Sequence, residues 1–473
     1  MHARTIRDAA FLGIPQQDVK PVASTLVVMT SSTKPDAGEP DASSANVEEA
    51  TPKRSNPIKR FFAMLGPGLI TGASDDDPSG IGTYSIAGAQ LGYAVLWTAL
   101  VTFPLMASVQ FICAKIAMAS GQGIGSVLRK HYSRKLLYPV VLGLFVANTI
   151  NTGADILAIA AGLNLLLPVP INALIVPIGV LIFVLQVWGS YRLIANTFKW
   201  LTLSLFAYIG ASLLAKPDWV AVLQGTFLPA VHFDAAFLAT LVAILGTTIS
   251  PYLFFWQASQ EVEEEISLGQ TTVRQRRGTT DSELNVAVVD VGVGMFLSNV
   301  VMYFIILATA ATLHKTGHTD INSAADAAEA LRPLAGNAAT ILMALGLVGT
   351  GFLAVPILTG SAAYAICEAF GWKCTLGAKL HQAKEFYLVL GLSTLGGLLM
   401  NFIGISPMDA LFWTAVLNGF LAPPLLVIIM LIANNKAVMG KRVNGRSMNI
   451  LGWMTTVLMF AAAVGLVLTW GSQ

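Results

Sequence analysis

The sequence predicts an all-α, polytopic membrane protein with about eleven spanning helices, of which the first and the sixth are broken near their middle. Three observations predict this class. The 473 residues are 55% hydrophobic and 11% charged, whereas a soluble domain carries about 25% charged residues. Long apolar runs alternate with short polar loops after residue 59, and every second loop is basic. Two of the apolar runs are interrupted by Gly, Pro and polar residues.

The predicted spans follow from length, because a membrane-spanning helix needs about 20 apolar residues. They are 65–90, 93–118, 136–166, 170–190, 198–215, 235–258, 286–313, 337–370, 386–404, 408–433 and 448–470. Residues 1–55 are instead rich in Ser, Ala, Asp, Glu, Pro and Lys and have no long apolar run. We therefore expect a disordered cytoplasmic tail over 1–55 and a transmembrane domain over 56–473.

Basic loops predict the orientation, because Lys and Arg favour the cytoplasmic side of a membrane. Basic residues precede span one and follow spans two, four, six, eight and ten: Lys53, Arg54, Lys59, Arg60, Arg129, Lys130, Arg134, Lys135, Arg192, Lys199, Arg274, Arg276, Arg277, Lys373, Lys379, Lys384, Lys436, Lys441, Arg442 and Arg446. The intervening loops are poor in such residues. This alternation predicts a cytoplasmic N-terminus and an external C-terminus in the plasma (inner) membrane. The net charge of +2 is too small to indicate a nucleic-acid partner.

Span one contains Gly66-Pro67-Gly68 and then three aspartates in a row, followed by Pro78-Ser79-Gly80. Pro removes a backbone donor and breaks the helix. One Asp at the bilayer centre costs about 2.5–3.5 kcal/mol, so three predict a compensating cavity, partner or ion. We assign Asp77 and Asp76 as candidate cation ligands. Asp75 either stabilises the unwound turn or faces a water-filled path.

Span six is interrupted at Ser250-Pro251, which on its own fits an ordinary proline kink equally well. Interrupted spans at matching places in two halves are the sequence sign of a transporter site. Spans one and six are interrupted at matching places in the two halves of the chain. This predicts a five-plus-five inverted repeat with an eleventh helix at the end. An opened helix offers carbonyl oxygens and the negative end of a half-helix, and both suit a cation.

These segments resemble the Nramp family of divalent metal transporters. The matching residues are Gly66-Pro67-Gly68-Leu69, Asp77-Pro78-Ser79-Gly80, Ala87-Gly88-Ala89, Gly92-Tyr93, Leu163-Asn164-Leu165-Leu166, Met439-Gly440 and Val443-Asn444. The resemblance covers nearly everything after residue 60. It implies the leucine-transporter fold, which has eleven or twelve spans in this family.

The resemblance also implies a metal site, with departures that change its chemistry. The family holds metal with an Asp and an Asn of span one, a Met of span six and backbone carbonyls. The residues implied here are Asp77 (the Asp), Gly80 (the Asn position), Ser250 (the Met position), and Ser74 and Thr247 (the carbonyls), with Asp76 beside them. A thioether favours soft metals, so its loss leaves oxygen ligands that suit Mg²⁺, Ca²⁺ and Mn²⁺. The pattern resembles the Nramp-related magnesium transporters, so we expect inward transport of Mg²⁺, with Mn²⁺ second.

The residues of the proton route are the second departure from the Nramp pattern. The family's proton route uses an Asp and a Glu of span three and a His of span six, which map to Thr152, Asp155 and Tyr252. Thr does not titrate, and a tyrosine hydroxyl ordinarily has a pKa near 10. We expect weak or absent proton coupling. Asp155 either carries protons or pairs with a hydroxyl in the interior.

Other polar groups leave two interpretations open. Glu261, Glu263, Glu264 and Glu265 either concentrate cations at the inner mouth or form a solvated helix end that pairs with Arg274, Arg276 and Arg277. Asn148, Asn151, Asn164 and Asn418 either line the path or bond helix to helix.

Three alternatives compete with this interpretation. A proton-coupled Mn²⁺ or Fe²⁺ importer like ordinary Nramps is disfavoured by the missing Met. An amino-acid symporter on the same fold would bind a carboxylate that three aspartates repel. A membrane aspartyl protease using Asp77 and Asp155 lacks a surrounding protease motif. We expect no enzymatic activity and no cofactor. The expected partners are divalent metal ions and the lipid bilayer, and the expected oligomeric state is a monomer.

Overall fold

The computed structural model describes residues 66–189, 201 and 203–470, and these are mostly helical, without a β-strand in that part of the chain. Several predictions lie outside the described residues. They are the tail 1–55, the start of the predicted transmembrane domain at 56–65, and the basic residues Lys53, Arg54, Lys59, Arg60, Arg192 and Lys199.

The longer helices are numbered in chain order. They are α1 Pro67–Asp75, α2 Pro78–Leu91, α3 Trp97–Ser120, α4 Ile124–His131, α5 Arg134–Leu166, α6 Ile171–Trp188, α7 Ala207–Leu214, α8 Trp219–Phe227, α9 Ala235–Thr248, α10 Pro251–Ser267, α11 Asp281–Thr312, α12 Ala339–Phe370, α13 Lys384–Met400, α14 Pro407–Ala433 and α15 Arg446–Trp470. Helices of four or five residues occur at Val273–Arg276, Ala324–Ala328, Arg332–Ala335 and Lys436–Met439. Short 3₁₀ turns lie at Gly92–Val95, Leu203–Phe206, His314–Thr316, Glu329–Leu331, Gly336–Ala338, Asn401–Ile403 and Gly440–Arg442.

Nine helical segments within the described ranges are long and apolar enough to cross a membrane, and they match the predicted spans two to four and six to eleven. The other two predicted spans correspond to the broken pair α1–α2 and to the shorter apolar segment Leu203–Leu214. Large apolar side chains stay exposed on several of these helices, as with Leu399, Val467 and Leu468. Such a surface suits lipid rather than water.

Span six was predicted to end at 258, and this boundary is wrong. The helix continues to Ser267, so that α9 and α10 together cover Ala235–Ser267. The polar residues that suggested an end are buried within the protein: Gln257 Nε2 donates to Glu261 Oε1 at 3.0 Å, and both side chains are at most 3% exposed. Two helices within predicted loops, α4 and α8, were not anticipated.

Helix α11 and the 3₁₀ turn that follows it support both ends of the broken first helix. Asp290, near its start, accepts hydrogen bonds from the backbone N–H groups of Gly66 (2.6 Å), Gly68 (2.7 Å) and Leu69 (3.1 Å). A carboxylate there satisfies amides that the first turn of α1 leaves without a helical partner. Near the end of α2, His314 Nδ1 donates to the Ala89 carbonyl at 2.8 Å.

The middle of the α1–α11 contact depends on glycine. A Cβ atom on Gly72 would lie 2.3 Å from the backbone of Gly294, and one on Gly294 would lie 2.3 Å from the Gly68 carbonyl oxygen, so neither position has room for a side chain. Close backbone approach between small residues is a common way to pack helices in a membrane. The half-helix α1 is therefore held against α11 by backbone contact as well as by Asp290.

Replacing Asp290 by Ala is expected to destabilise the protein by about 1–3 kcal/mol, because buried amides lose their acceptor. The melting temperature of the detergent-purified protein measures this loss. Asp290→Asn keeps one acceptor oxygen and should fall between wild type and Asp290→Ala. An unchanged melting temperature for Asp290→Ala would show that the cap contributes nothing.

Candidate metal-binding site

The two predicted breaks are present and face each other. The chain leaves helical geometry at Asp76 and Asp77 between α1 and α2, and at Ile249 and Ser250 between α9 and α10. Both following half-helices begin with Pro, which needs no N–H partner there. Contacts join the two breaks: Ser79 Oγ lies 3.3 Å from Thr247 Oγ1, and Tyr84 Oη lies 3.1 Å from Thr248 Oγ1.

Asp77 lies at the centre of this arrangement and is 1% exposed. Its Oδ1 accepts hydrogen bonds from Ser79 Oγ at 2.6 Å and from the backbone N–H of Gly80 at 2.8 Å. These bonds make Asp77 the N-cap of α2. Its Oδ2 accepts from Asn151 Nδ2 at 3.3 Å and from Tyr252 Oη at 3.2 Å. Four neutral donors therefore surround a buried carboxylate.

Tyr252 lies between two predicted ligands. Its hydroxyl is 3.1 Å from the carbonyl oxygen of Ser74 and 3.2 Å from Asp77 Oδ2. The Ser74 hydroxyl donates to the Ile70 carbonyl at 2.8 Å inside α1. Ser74 therefore presents its backbone carbonyl to the break, as the sequence predicted.

The span-six residues are also close by. The Ser250 hydroxyl contacts the carbonyls of Thr247 and Gly246, the latter at 3.1 Å. A Cβ atom on Gly80 would lie 3.4 Å from Thr247 Oγ1 and 3.5 Å from the Asp75 carbonyl, so a side chain at position 80 would point at these oxygens. Hydrogen bonds thus connect Asp77 to Gly80 directly, to Ser74 through Tyr252 and to Thr247 through Ser79. Ser250 is attached through the Thr247 carbonyl.

Asp76 and Asp75 face a different neighbour. Ser298 Oγ of α11 lies 2.7 Å from Asp75 Oδ2 and 3.1 Å from Asp76 Oδ1. Asp75 is fully buried, which favours stabilisation of the unwound turn, the first of its two predicted alternatives, over contact with a water-filled path. The structure places Asp76 beside Asp75 and Ser298, whereas Asp77 bonds to residues of α2, α5 and α10.

Sequence reasoning missed three contacts of the site. It gave Ser298, Tyr84 and Thr248 no role, although each is fully or almost fully buried beside the breaks. The only signal for Ser298 was a polar Ser-Asn pair inside the apolar run of span seven. Such a pair equally indicates a helix–helix hydrogen bond.

The asparagines of span three differ in role: one lies at the candidate site and another bonds helix to helix. Asn151 contacts Asp77, whereas Asn148 Nδ2 donates to the Leu358 carbonyl of α12 at 3.0 Å. Asp155 is fully buried near Asp77 and the backbone N–H of Ser79, and neither of its carboxylate oxygens bonds to a hydroxyl among the described residues. Of the two alternatives for Asp155, pairing with a hydroxyl is not observed among the described residues, and a role in carrying protons stays a prediction. Asn164 donates to the nearby Val169 carbonyl at 2.8 Å, and Asn418 of span ten is buried with an unpartnered Nδ2.

The acidic end of span six is buried at Glu261 and partly exposed at Glu263, Glu264 and Glu265. Glu263 accepts hydrogen bonds from Tyr364 Oη (2.8 Å), Thr375 Oγ1 (2.9 Å) and the Leu376 amide (3.2 Å). Arg276, one of its expected partners, donates to the backbone carbonyls of Gly121 and Gln270. These contacts fix α10 to the loop that follows α12.

The described part of the chain contains no group of three or more His, Cys, Asp or Glu side chains placed to hold a metal. Burial raises the pKa of the Cys374 thiol, so this residue is not a ready thiolate ligand. A cation at the breaks would therefore bind through Asp77, carbonyl and hydroxyl oxygens, and water. Hard cations such as Mg²⁺ and Mn²⁺ accept such a set.

Comparison with known proteins identifies the family. The model of the family described as "Natural resistance-associated macrophage protein-like", Nramp, matches residues 68–469. The chain belongs to the Nramp family. It is 24% identical over 420 residues to the divalent metal cation transporter MntH of Klebsiella pneumoniae (strain 342), covering 88% of this chain and 96% of that protein. It is 27% identical over 412 residues to MntH of Deinococcus radiodurans, covering 85% and 89%.

A solved structure shows the same fold. The manganese transporter of Eremococcus coleocola, in complex with an aromatic bis-isothiourea substituted compound, superposes with a TM-score of 0.68 at 18% identity, covering 88% of each chain. The all-α leucine-transporter fold predicted from the sequence is confirmed. The Nramp assignment predicted from the sequence is confirmed by the family match over residues 68–469.

Proposed function

We propose that this Nramp protein transports divalent metal cations across the plasma membrane, with Mg²⁺ preferred and Mn²⁺ second. One observation carries the proposal: a buried carboxylate, Asp77, lies among carbonyl and hydroxyl oxygens where two broken helices meet. The names of the related divalent metal cation and manganese transporters support the same class of substrate.

The preference for hard ions rests on the atoms around the breaks. Ser250 supplies a hydroxyl at the position where the family's Met is expected, and Gly80 supplies no side chain. The thioether of Met302 lies 3.7 Å from Thr248 Oγ1 and 4.0 Å from Thr102 Oγ1. Oxygen ligands favour Mg²⁺ and Mn²⁺, whereas thioether sulfur favours softer metals.

Weak or absent proton coupling is part of the proposal. At the three positions of the family's proton route, Thr152 and Tyr252 are poor proton carriers at neutral pH and only Asp155 is a carboxylic acid. The alternative is a proton-coupled Mn²⁺ or Fe²⁺ importer. One observation favours that alternative, namely the burial of a titratable carboxylate, Asp155, near Asp77.

The topology is proposed from the charge pattern of the loops. The N-terminus with its tail 1–55 lies in the cytoplasm, the C-terminus lies outside, and residues 56–473 form a monomeric transport domain. Transport then runs inward, from the outer half-helices α2 and α9 toward α1 and α10.

Uptake into proteoliposomes with a pH-sensitive dye inside tests the proposal. We expect saturable uptake of Mg²⁺ and Mn²⁺ with little change of internal pH, and no uptake into protein-free liposomes. Mn²⁺ uptake with matching acidification and no Mg²⁺ uptake would support the proton-coupled alternative. Absence of uptake for Mg²⁺, Mn²⁺ and Ca²⁺ would contradict divalent metal transport altogether.

A further inference from the structure

Two carboxylates lie buried at the C-terminal end of α1. Asp75 is the last residue of that helix and Asp76 follows it, and they are 0% and 6% exposed. The C-terminal end of a helix carries partial negative charge, so acidic side chains there are unfavourable without a compensating cation. Burial away from water adds a further cost to each unpaired charge.

The protein supplies little compensation. Ser298 Oγ is within hydrogen-bond distance of both carboxylates, but a hydroxyl has one proton and can fully satisfy only one of them. Within the described ranges, the buried Asp75 Oδ1 has no hydrogen-bond partner. The ion pairs between described residues, Arg332–Glu329 and Arg442–Asp281, do not involve Asp75 or Asp76.

Asp77, in contrast, has several hydrogen-bond donors around its carboxylate. Four donors lie within hydrogen-bond distance of its oxygens: Ser79 and the Gly80 amide at Oδ1, and Asn151 and Tyr252 at Oδ2, although the Tyr252 hydroxyl is shared with the Ser74 carbonyl. A cation that bound directly to Asp77 would displace at least one of these donors. A cation at Asp75 and Asp76 would find an oxygen without a donor.

We infer that Asp75, Asp76 and Ser298 form a second divalent-cation site, on the α11 side of the break and separate from Asp77. Two carboxylates match the charge of a divalent ion, and the Ser298 hydroxyl can rotate to offer a lone pair. A small hard ion that keeps part of its water fits such a pair, because Mg²⁺ commonly binds through one or two carboxylates and several waters.

The inference rests on the proposed transport function and adds a step to it. An ion released from Asp77 has a second oxygen site next to it at the C-terminal end of α1. The two sites together form a relay across the break. Asp76, predicted as a ligand beside Asp77, belongs to the second site in this arrangement.

Mn²⁺ binding to the purified full-length protein tests the inference, because free Mn²⁺ is counted directly by electron paramagnetic resonance. Asp77→Asn should still bind one Mn²⁺ per chain although it no longer transports. Adding Asp75→Asn to that variant should weaken the remaining binding at least tenfold, and adding Ser298→Ala should weaken it to a smaller extent. Adding Asp320→Asn, an exposed loop residue, serves as the matched control and should change nothing.

The outcomes separate the two proposals. If Asp77→Asn binds no Mn²⁺ while the wild type binds and transports it, the second site is wrong and the transport function stands. The same conclusion follows if Asp75→Asn leaves the residual binding unchanged in a protein with a normal gel-filtration profile. If the wild type neither binds nor transports Mn²⁺ or Mg²⁺, the proposed function itself is wrong.

Discussion

Replacing Asp77 by Ala is expected to abolish Mg²⁺ and Mn²⁺ uptake. Asp77 accepts hydrogen bonds from residues beside both breaks: from Ser79 and Gly80 of α2, and from Tyr252 of α10. Loss of one partner from a buried ionic contact typically costs about 3–5 kcal/mol, more than a hundredfold in binding. Initial rates of uptake into proteoliposomes measure the effect.

The effect of the Asp77 substitution on folding must be distinguished from its effect on metal binding. Asp77 also caps α2, and removal of an N-cap costs about 0.5–2 kcal/mol. Asp77→Asn keeps an oxygen that accepts from the Gly80 amide, so it should retain the melting temperature better than Asp77→Ala and still fail to transport. The exposed Asp320→Ala is the control for loss of an acidic residue. Normal uptake by a well-folded Asp77→Asn protein would remove Asp77 from the site.

Replacing Ser250 by Met should shift the preference from Mg²⁺ toward soft ions such as Cd²⁺. The substitution supplies a thioether at the break and removes the hydroxyl that contacts the Thr247 and Gly246 carbonyls. Softer ligands favour softer metals. We expect the ratio of Cd²⁺ to Mg²⁺ uptake to rise about tenfold or more, which corresponds to about 1.4 kcal/mol.

The matched control for this substitution is Ser250→Thr, which keeps the hydroxyl and adds a methyl group. It should preserve the order of ions even if the overall rate falls. Competition of Cd²⁺ with Mg²⁺ in the same vesicles gives the ratio directly. Equal ratios for Ser250→Met, Ser250→Thr and wild type would show that position 250 does not determine selectivity.

The sequence was sufficient to locate the breaks, because their causes are local. Pro78 and Pro251 each start a half-helix, and the aspartates of span one make an unbroken apolar helix implausible. The Nramp motif then indicated Ser74, Asp77, Gly80 and Thr247, which the structure brings together. Basic loops and apolar length located the other spans within a few residues.

Contacts between distant helices could not be predicted in the same way. Nothing in the sequence indicates that Ser298 lies beside Asp75 and Asp76, or that Asp290 bonds to the start of α1. A single polar residue in an apolar span indicates only that some polar partner exists. The end of span six was misplaced for a related reason, since the partners that bury Glu261 and Glu263 come from other parts of the fold or from the previous turn.

The most direct measurement is the position of a bound ion in a structure of the protein with Mn²⁺, located by its anomalous scattering. We predict an anomalous-difference peak for Mn²⁺ at the two breaks, with oxygen atoms of Asp77 or of the Asp75–Asp76 pair in the coordination shell of the ion. Peaks confined to the protein surface, with none near these carboxylates at saturating Mn²⁺, would contradict it.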